Sequence, residues 1–484
     1  MTPRYNRLYS AASVAQLDRI AIDEFKIPGY TLMRRAGQAA FDCLLDCFPE
    51  ANKILVVCGA GNNAGDGYVI ARLAHAHGLD VSVVSMVDTT KLTGAARQAC
   101  DHWLEVGEVK PAALMEPGAA DVIVDALLGT GLARDVSAEW CATIESMNAS
   151  MAPVLAVDIP SGLNADSGAI AGCAVRADAT IAFIGLKKGL FTANGRECCG
   201  EIFFDDLAVP VDVYDSVQHD AVLLDETSCS WPVRSHASHK GVFGHALVVG
   251  GNHGMPGAAI LAGRAALRSG AGKVSVITRS DHVNAVVAAC PELMVHASAS
   301  GDIDEHLLET VTHIAIGPGL GQDGWAQRLL MQVLRAAKPL VLDADALSLM
   351  ASKQLDFPAH CIITPHPGEA ARLLSLTATD IQRDRFAAVA RLQKQSAAVV
   401  VLKGSGTLVA DAQQCYVCPF GNPAMASAGM GDVLTGMTVA LLAQGLALSD
   451  AATTAVCQHA LAADRLVDAG QRVVLAGDVI DALR

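Results

Sequence analysis

Short aliphatic runs, each closed by glycine or aspartate and followed by a helix-patterned segment, recur along the whole chain and leave few folds open. In the first half they stand at 53–58 (Lys-Ile-Leu-Val-Val-Cys), 80–87, 121–125, 153–158 and 179–184. Helical periodicity covers Ser10 to Phe48 and then separates the runs, at 66–78 and 91–105 among others. Continuous Val/Ile/Leu strands alternating with helices specify βαβ units and a parallel, doubly wound sheet. A second series begins at 245–250 and continues at 273–278, 312–317, 339–343, 361–364 and 397–402, with helices expected at 256–269, 324–337 and 368–375. Between the two series the rhythm lapses, over 205–240, so we expect two α/β domains, 1–225 and 226–484. No motif repeats between the halves, which points to fusion rather than duplication.

Bulk properties narrow the partners. Of 484 residues, 52% are hydrophobic and 4% aromatic, with 43 glycines, a profile suited to buried parallel sheets. A net charge of −15 with no basic stripe argues against nucleic acid, so an anionic ligand must be held by backbone amides and a few lysines. Fourteen cysteines lack a ligand framework, and Cys415-Tyr-Val-Cys418 is an isolated pair. The expectation is buried free thiols in a cytoplasmic protein. Met1 to Ser13 carries no apolar core, so no signal peptide is expected, and no apolar stretch is long enough for a membrane span.

Candidate chemistry in the first half gathers at strand ends. Gly59-Ala-Gly-Asn-Asn-Ala-Gly-Asp66-Gly67 follows the first run and places Asn62, Asn63 and Asp66 in a glycine-rich turn. Such oxygen-bearing side chains suit a hard cation or the polar edges of a nucleotide. Asp125 precedes Leu-Leu-Gly-Thr-Gly131, and Asp158 leads into Ile-Pro-Ser-Gly162. Carboxyl ends of neighbouring parallel strands share one crevice, so these carboxylates should face the first loop. Each alone reads equally well as a helix cap.

In the second half, Ser427-Ala-Gly-Met-Gly-Asp432 precedes an apolar run from Val433 to Leu446 that reads as a helix. Two glycines allow a tight turn of amides, and the helix start favours an anion beside Asp432. A phosphate next to a carboxylate base is equipment for activating a hydroxyl toward phosphoryl transfer. An N-cap aspartate on a buried helix is the other reading. Further loops are Gly250-Gly-Asn-His-Gly-Met-Pro-Gly-Ala-Ala259, Ile316-Gly-Pro-Gly-Leu-Gly321, Asp343-Ala-Asp345, Thr364-Pro-His-Pro-Gly-Glu369 and Val401-Leu-Lys-Gly-Ser-Gly-Thr407.

The first-half motifs, in their order, resemble the NAD(P)H-hydrate epimerase family. That resemblance implies a Rossmann-like three-layer αβα domain whose substrate is embraced by Asn62, Asn63, Ala64, Gly65 and Asp66 and by Gly129, Thr130, Gly131, Leu132, Ala133, Arg134 and Asp135. It implies a potassium ion on Asn63, Asp125 and Ser161, and Asp158 as the acid/base in contact with substrate. The family's usual glycine pair is Ala64-Gly65 here, which is tolerated where Ala64 keeps negative φ. Lys187-Lys188 reads either as phosphate contact or as a solvated pair.

The second-half motifs resemble the ribokinase-like superfamily and, within it, the ADP- or ATP-dependent NAD(P)H-hydrate dehydratases. By that resemblance Ala258, Gly319, His366 and Asp432 contact hydrated substrate. Lys403, Gly404, Ser405, Gly406, Thr407 and Gly431 hold the adenine nucleotide, with ADP and magnesium expected. The two resemblances together imply repair of hydrated NADH and NADPH by a homo-oligomer that has no nucleic-acid or membrane partner. Two rivals stand beside this: a ribokinase-like small-molecule kinase with a regulatory nucleotide-binding domain, and a non-catalytic nucleotide sensor.

Overall fold

The strand Lys53–Cys58 is buried along all but its first residue, and its side chains alternate between two cores. Ile54, Val56 and Cys58 join one apolar cluster, whereas Leu55 and Val57 join another. That period of two places helices on both faces of the sheet, the three-layer arrangement expected of parallel strands. The computed structural model describes residues 6–132 and 134–483, and every count of elements refers to these. It divides into two units, Met1–Val222 and Leu223–Arg484.

In the first unit the sheet runs Val109–Pro111, Asp80–Ser85, Lys53–Cys58, Val122–Ala126, Val154–Val157, Ala179–Phe183, Glu201–Asp205, every pair parallel. Strand order reverses between Lys53–Cys58 and Val122–Ala126, which opens a crevice beyond their carboxyl ends. The helical stretch expected from Ser10 to Phe48 is two helices, Ala11–Asp23 and Gly29–Cys47. Pro28 divides them, because a proline disfavours helical geometry in the residue before it. Glu201–Asp205, a strand missing from the expected runs, completes the sheet just before the segment whose pattern lapses. Gly37 lets Gly29–Cys47 press against Asn62–Ala76, since a Cβ there would fall 2.4 Å from Val69 Cγ1.

The second unit orders its parallel strands Met294–Ala297, Lys273–Thr278, His245–Val249, His313–Ile316, Leu340–Leu342, Cys361–Ile363, Val399–Leu402. Leu408–Ala410 and Cys415–Val417 then add antiparallel strands. The loop between Leu402 and Leu408 is too short for a parallel crossover, so the chain has to turn back. The helix expected from Val433 to Leu446 begins earlier, spanning Met430–Ala443 with Gly429 at its N-cap. It crosses Pro256–Arg268 so closely that a Cβ on Gly436 would lie 2.1 Å from Ala262 O.

One cysteine expectation is corrected: Cys141 and Cys173 form a disulfide with Cα atoms 5.8 Å apart, and the others are free. The fold brings a loop cysteine beside one in the helix Ala138–Asn148, a proximity that spacing in the sequence does not reveal. Among the described residues no helix is long and apolar enough to cross a membrane.

Candidate active sites

In the first unit the turn Gly59–Gly61 is short, and the helix Asn62–Ala76 starts at once. Asn62 to Asp66 therefore lie in its opening turns rather than in a loop. A cavity of about 980 Å³ opens at the sheet edge and takes Asn62, Asn63, Asp66, Thr130, Arg134 and Asp158 into its wall. Gly129, Gly131 and Leu132 line it too. Ala64 is buried in the core instead, and a Cβ on Gly65 would meet Met33 Cε at 2.5 Å. Both pack the helix, and Ala64 is accommodated because it sits in regular helix. Asp135 is exposed and not part of that wall, and Ala133 lies outside the described residues.

Asp125 is fully buried, accepting Ser161 Oγ at 2.6 Å on one oxygen and Ser161 N at 2.8 Å on the other. Burial pushes its carboxyl up to about 6, against the pull of those Ser161 bonds and the Leu127 amide. Asn63 Nδ2 donates to Leu128 O at 3.1 Å, and the Leu128 amide donates to Ser161 Oγ at 2.8 Å. Asn63 Oδ1 is buried with no protein partner. An orphaned amide oxygen on a residue joined through Leu128 to a carboxylate–hydroxyl pair fits a hard monovalent cation.

Asp158 follows its strand with φ 68°, a left-handed conformation uncommon for a non-glycine residue. Its carboxylate accepts from the Phe183 amide and from the buried Lys187 ammonium, which also donates to Phe183 O at 3.2 Å. Lys187 is thus neither solvated nor a phosphate contact. Asp66 is held well above the ordinary carboxyl range by burial and then by the charges of Asp158 and Asp18, with Lys187 opposing. Asp18 is raised to about 6 by burial and then by Asp158.

Asp18 also lines the cavity, and the motif reading passed over it. A signal was present: Asp18 falls four residues after Val14 and three before Ala21, on the stripe that faces the core.

In the second unit the strand ends place Gly317, Asp343, Thr364 and Lys403 along one sheet edge. Asp343 is almost wholly buried, and it makes no capping hydrogen bond to the helix it precedes. Instead Oδ1 meets Lys403 Nζ at 2.6 Å, and Oδ2 accepts Thr435 Oγ1 at 2.8 Å. Lys403 Nζ also lies 3.9 Å from Glu369 Oε2. Burial pulls the Lys403 ammonium down, but Asp343 and Glu369 outweigh it and leave it above its ordinary value. Gly431 belongs beside this pair, since a Cβ there would sit 3.3 Å from Lys403 Nζ. The buried Arg385 donates to Leu402 O and Lys403 O and so props the Lys403–Thr407 loop from behind.

Asp432 stands in the first turn of Met430–Ala443 and is not its cap; left-handed Gly429 is. Burial, then Asp343, raises its carboxyl to about 7 despite Lys403. His366 is itself a cap: its Nδ1 accepts Gly368 N at 2.9 Å, and Nε2 lies 3.3 Å from Glu369 Oε1. Burial and the charge of Lys403 lower its pKa, leaving it neutral. A Cβ on Gly319 would touch Ala258 Cβ at 3.0 Å, so these residues adjoin. Asp345 accepts the Gly321 amide at 2.8 Å.

Comparison with known proteins covers nearly the whole chain. Residues 29–189 match the model of the YjeF-related protein N-terminus, and 246–484 match that of NAD(P)H-hydrate dehydratase. The bifunctional NAD(P)H-hydrate repair enzyme Nnr of Coxiella burnetii is 45% identical over 99% of this chain and 98% of its own. The chain belongs to that family. The Escherichia coli relative of the same description is 42% identical, covering 99% of this chain and 93% of its own. A ribokinase-like superfamily protein from Enterococcus faecalis aligns with 54% of this chain and 93% of its own at TM-score 0.51 and 31% identity. Family membership therefore covers both sites, while Asp18 lies upstream of the first matched segment.

Proposed function

We propose that the first unit interconverts the R and S hydrates of NADH and NADPH, and that the second dehydrates the S form at the expense of ADP. The observation that carries the reading is Asp432. A half-buried carboxyl raised to about 7 follows glycine amides at a helix start, next to the Asp343–Lys403 pair. A base poised near neutrality is what removal of a hydroxyl proton requires.

Asp432 takes the proton of the ring hydroxyl as that oxygen bonds to the terminal phosphorus of ADP, whose bond to the bridging oxygen breaks. Amides at Gly429–Asp432 stabilise the charge that develops on the phosphoryl oxygens. The ring nitrogen's lone pair then expels phosphate, and a proton leaves the neighbouring ring carbon to restore the reduced nicotinamide. Lys403 and the backbone to Thr407 hold the nucleotide. Asp343 and Asp345 are engaged by Lys403, Thr435 and the Gly321 amide, so magnesium would be held chiefly by phosphate oxygens and water.

In the first unit Asp158 moves the proton during epimerisation, oriented by its ion pair with the buried Lys187. Asn63 Oδ1, Asp125 and Ser161 hold potassium, which supplies fixed positive charge at the crevice. With twelve cysteines free beside the one Cys141–Cys173 disulfide, the cytoplasm is the compartment that most of the thiols suit. A small-molecule kinase would account for the second unit but leaves the Asp158–Lys187 crevice without purpose.

The test is absorbance recovery on mixed hydrate epimers with ADP. Asp432→Asn should abolish dehydration and spare epimerisation, and Asp158→Asn should do the reverse. Loss of both activities in either well-folded variant would refute this division of labour.

A further inference from the structure

We infer that His253, Asp281 and His282 form a binding site for one zinc-class divalent ion, separate from the phosphoryl-transfer machinery. His253 follows the strand His245–Val249, and Asp281-His282 follows Lys273–Thr278. Parallel pairing of Val249 with Ile277 brings these two strand ends side by side. One ligand atom from each of the three side chains lies within 4.8 Å of the others, and His253 Nδ1 is 3.5 Å from Asp281 Oδ2. Two ligands bonded to zinc at about 2.1 Å and separated by the tetrahedral angle lie about 3.4 Å apart. The observed spacing therefore needs almost no adjustment for that pair.

The tautomer of His282 is also suitable. Its Nδ1 is 3.0 Å from Gly251 O. A carbonyl only accepts, so Nδ1 carries the hydrogen, which leaves Nε2 as the nitrogen that can ligate an ion. A backbone carbonyl behind an imidazole is the support that metal-binding histidines recurrently use. Arg279, two residues before Asp281 in the chain, is engaged elsewhere. Its guanidinium pairs with Asp323 at 2.8 Å, bonds Asn252 Oδ1 at 2.8 Å and stacks on Trp325.

Two imidazoles and one carboxylate select zinc, cobalt or nickel over magnesium, whose preference is for oxygen. The side chains of His253 and Asp281 are 62% and 63% exposed, so an ion enters from solvent and keeps water at its open position. Once bound, it ties the Gly250–Gly254 loop to the turn after Thr278. That loop donates its Gly251 and Asn252 amides to Pro318 O and Gly319 O, so the ion stiffens one wall of the second unit's crevice.

The experiment is cobalt titration of the tag-free, metal-stripped full chain without nucleotide, followed by visible absorption. The expected result is one ion per chain with d–d bands, and affinity lowered by about tenfold or more in His253→Gln and in His282→Gln. Asp281→Asn is a further variant whose exposed side chain cannot disturb the core. Zinc should raise the melting temperature of the parent protein and leave that of the double histidine variant unmoved. Cobalt uptake by the double variant equal to the parent's overturns the site. So does parent uptake that is weak, multiple and without d–d bands.

Discussion

Lys403 Nζ lies 2.6 Å from Asp343 Oδ1, and the other oxygen of that carboxylate accepts Thr435 Oγ1 at 2.8 Å. Three elements distant in sequence thereby meet at one buried carboxylate. Removing one member of such a pair costs more than removing both, because the survivor stays charged and desolvated. Lys403→Met should destabilise the protein by about 3 kcal/mol in denaturant unfolding. Adding Asp343→Asn to that variant should return part of the loss. Equal or additive losses would show that the pair is not coupled.

Dehydration should weaken in acid. Asp432 must be ionised to accept a proton and is raised to about 7, so kcat/KM should fall tenfold per pH unit below that value. Asp345 is one of the charges that raise it, and Asp345→Asn should move the acid limb to lower pH while keeping an acceptor for the Gly321 amide. A limb that stays in place, or moves upward, counts against Asp432 as the base.

Epimerisation carries a different pH signature. Asp18 is raised to about 6 by burial and by Asp158, so it titrates within the working range. Asp18→Asn should erase the limb near that pH and lower the rate, with the N-terminal unit still folded. Lys187→Met removes the ammonium that pairs with and orients the Asp158 carboxylate and should cost about a hundredfold in rate or more. Retention of a normal profile in Asp18→Asn would confine Asp18 to a packing role.

Potassium should act on stability as well as on rate. An ion that binds only the folded state stabilises by mass action, about 2.7 kcal/mol at a hundred times its dissociation constant. Melting in potassium chloride should exceed melting in choline chloride. Asp125→Asn and Asn63→Ala should each abolish the difference, since one removes the charge and the other the orphaned oxygen. A difference that persists in both variants would place the ion elsewhere.

Gly436→Ala tests packing alone. Its Cβ would fall 2.1 Å from Ala262 O at the crossing of Met430–Ala443 with Pro256–Arg268. Overpacking of this kind costs about 1–3 kcal/mol. Because Asp432 rides on the same helix, dehydration should drop while epimerisation is unchanged, as measured by thermal melting and paired assays.

Much of this protein was readable along its chain. Buried parallel strands are continuous aliphatic runs, and their carboxyl ends share an edge, so Asp125, Asp158 and Asp343 announced the crevices before any coordinates did. Gly429 marked the turn before the helix for the same local reason, since its left-handed backbone suits a residue without a side chain, whereas Gly431 lies inside the helix. What each carboxylate does there was decided only by tertiary structure. Asp343 was visible only as a carboxylate in a strand-end loop, and it is the anchor of Lys403. Lys187 read either as a phosphate contact or as solvated, and it is buried against Asp158. Asp18 was hidden in an amphipathic helix until folding brought it into the cavity wall. Periodicity records which face a residue turns inward, a short-range property of the backbone. Charge pairing and pKa depend on which inward faces meet, and that is settled by strand order and helix packing across dozens of residues.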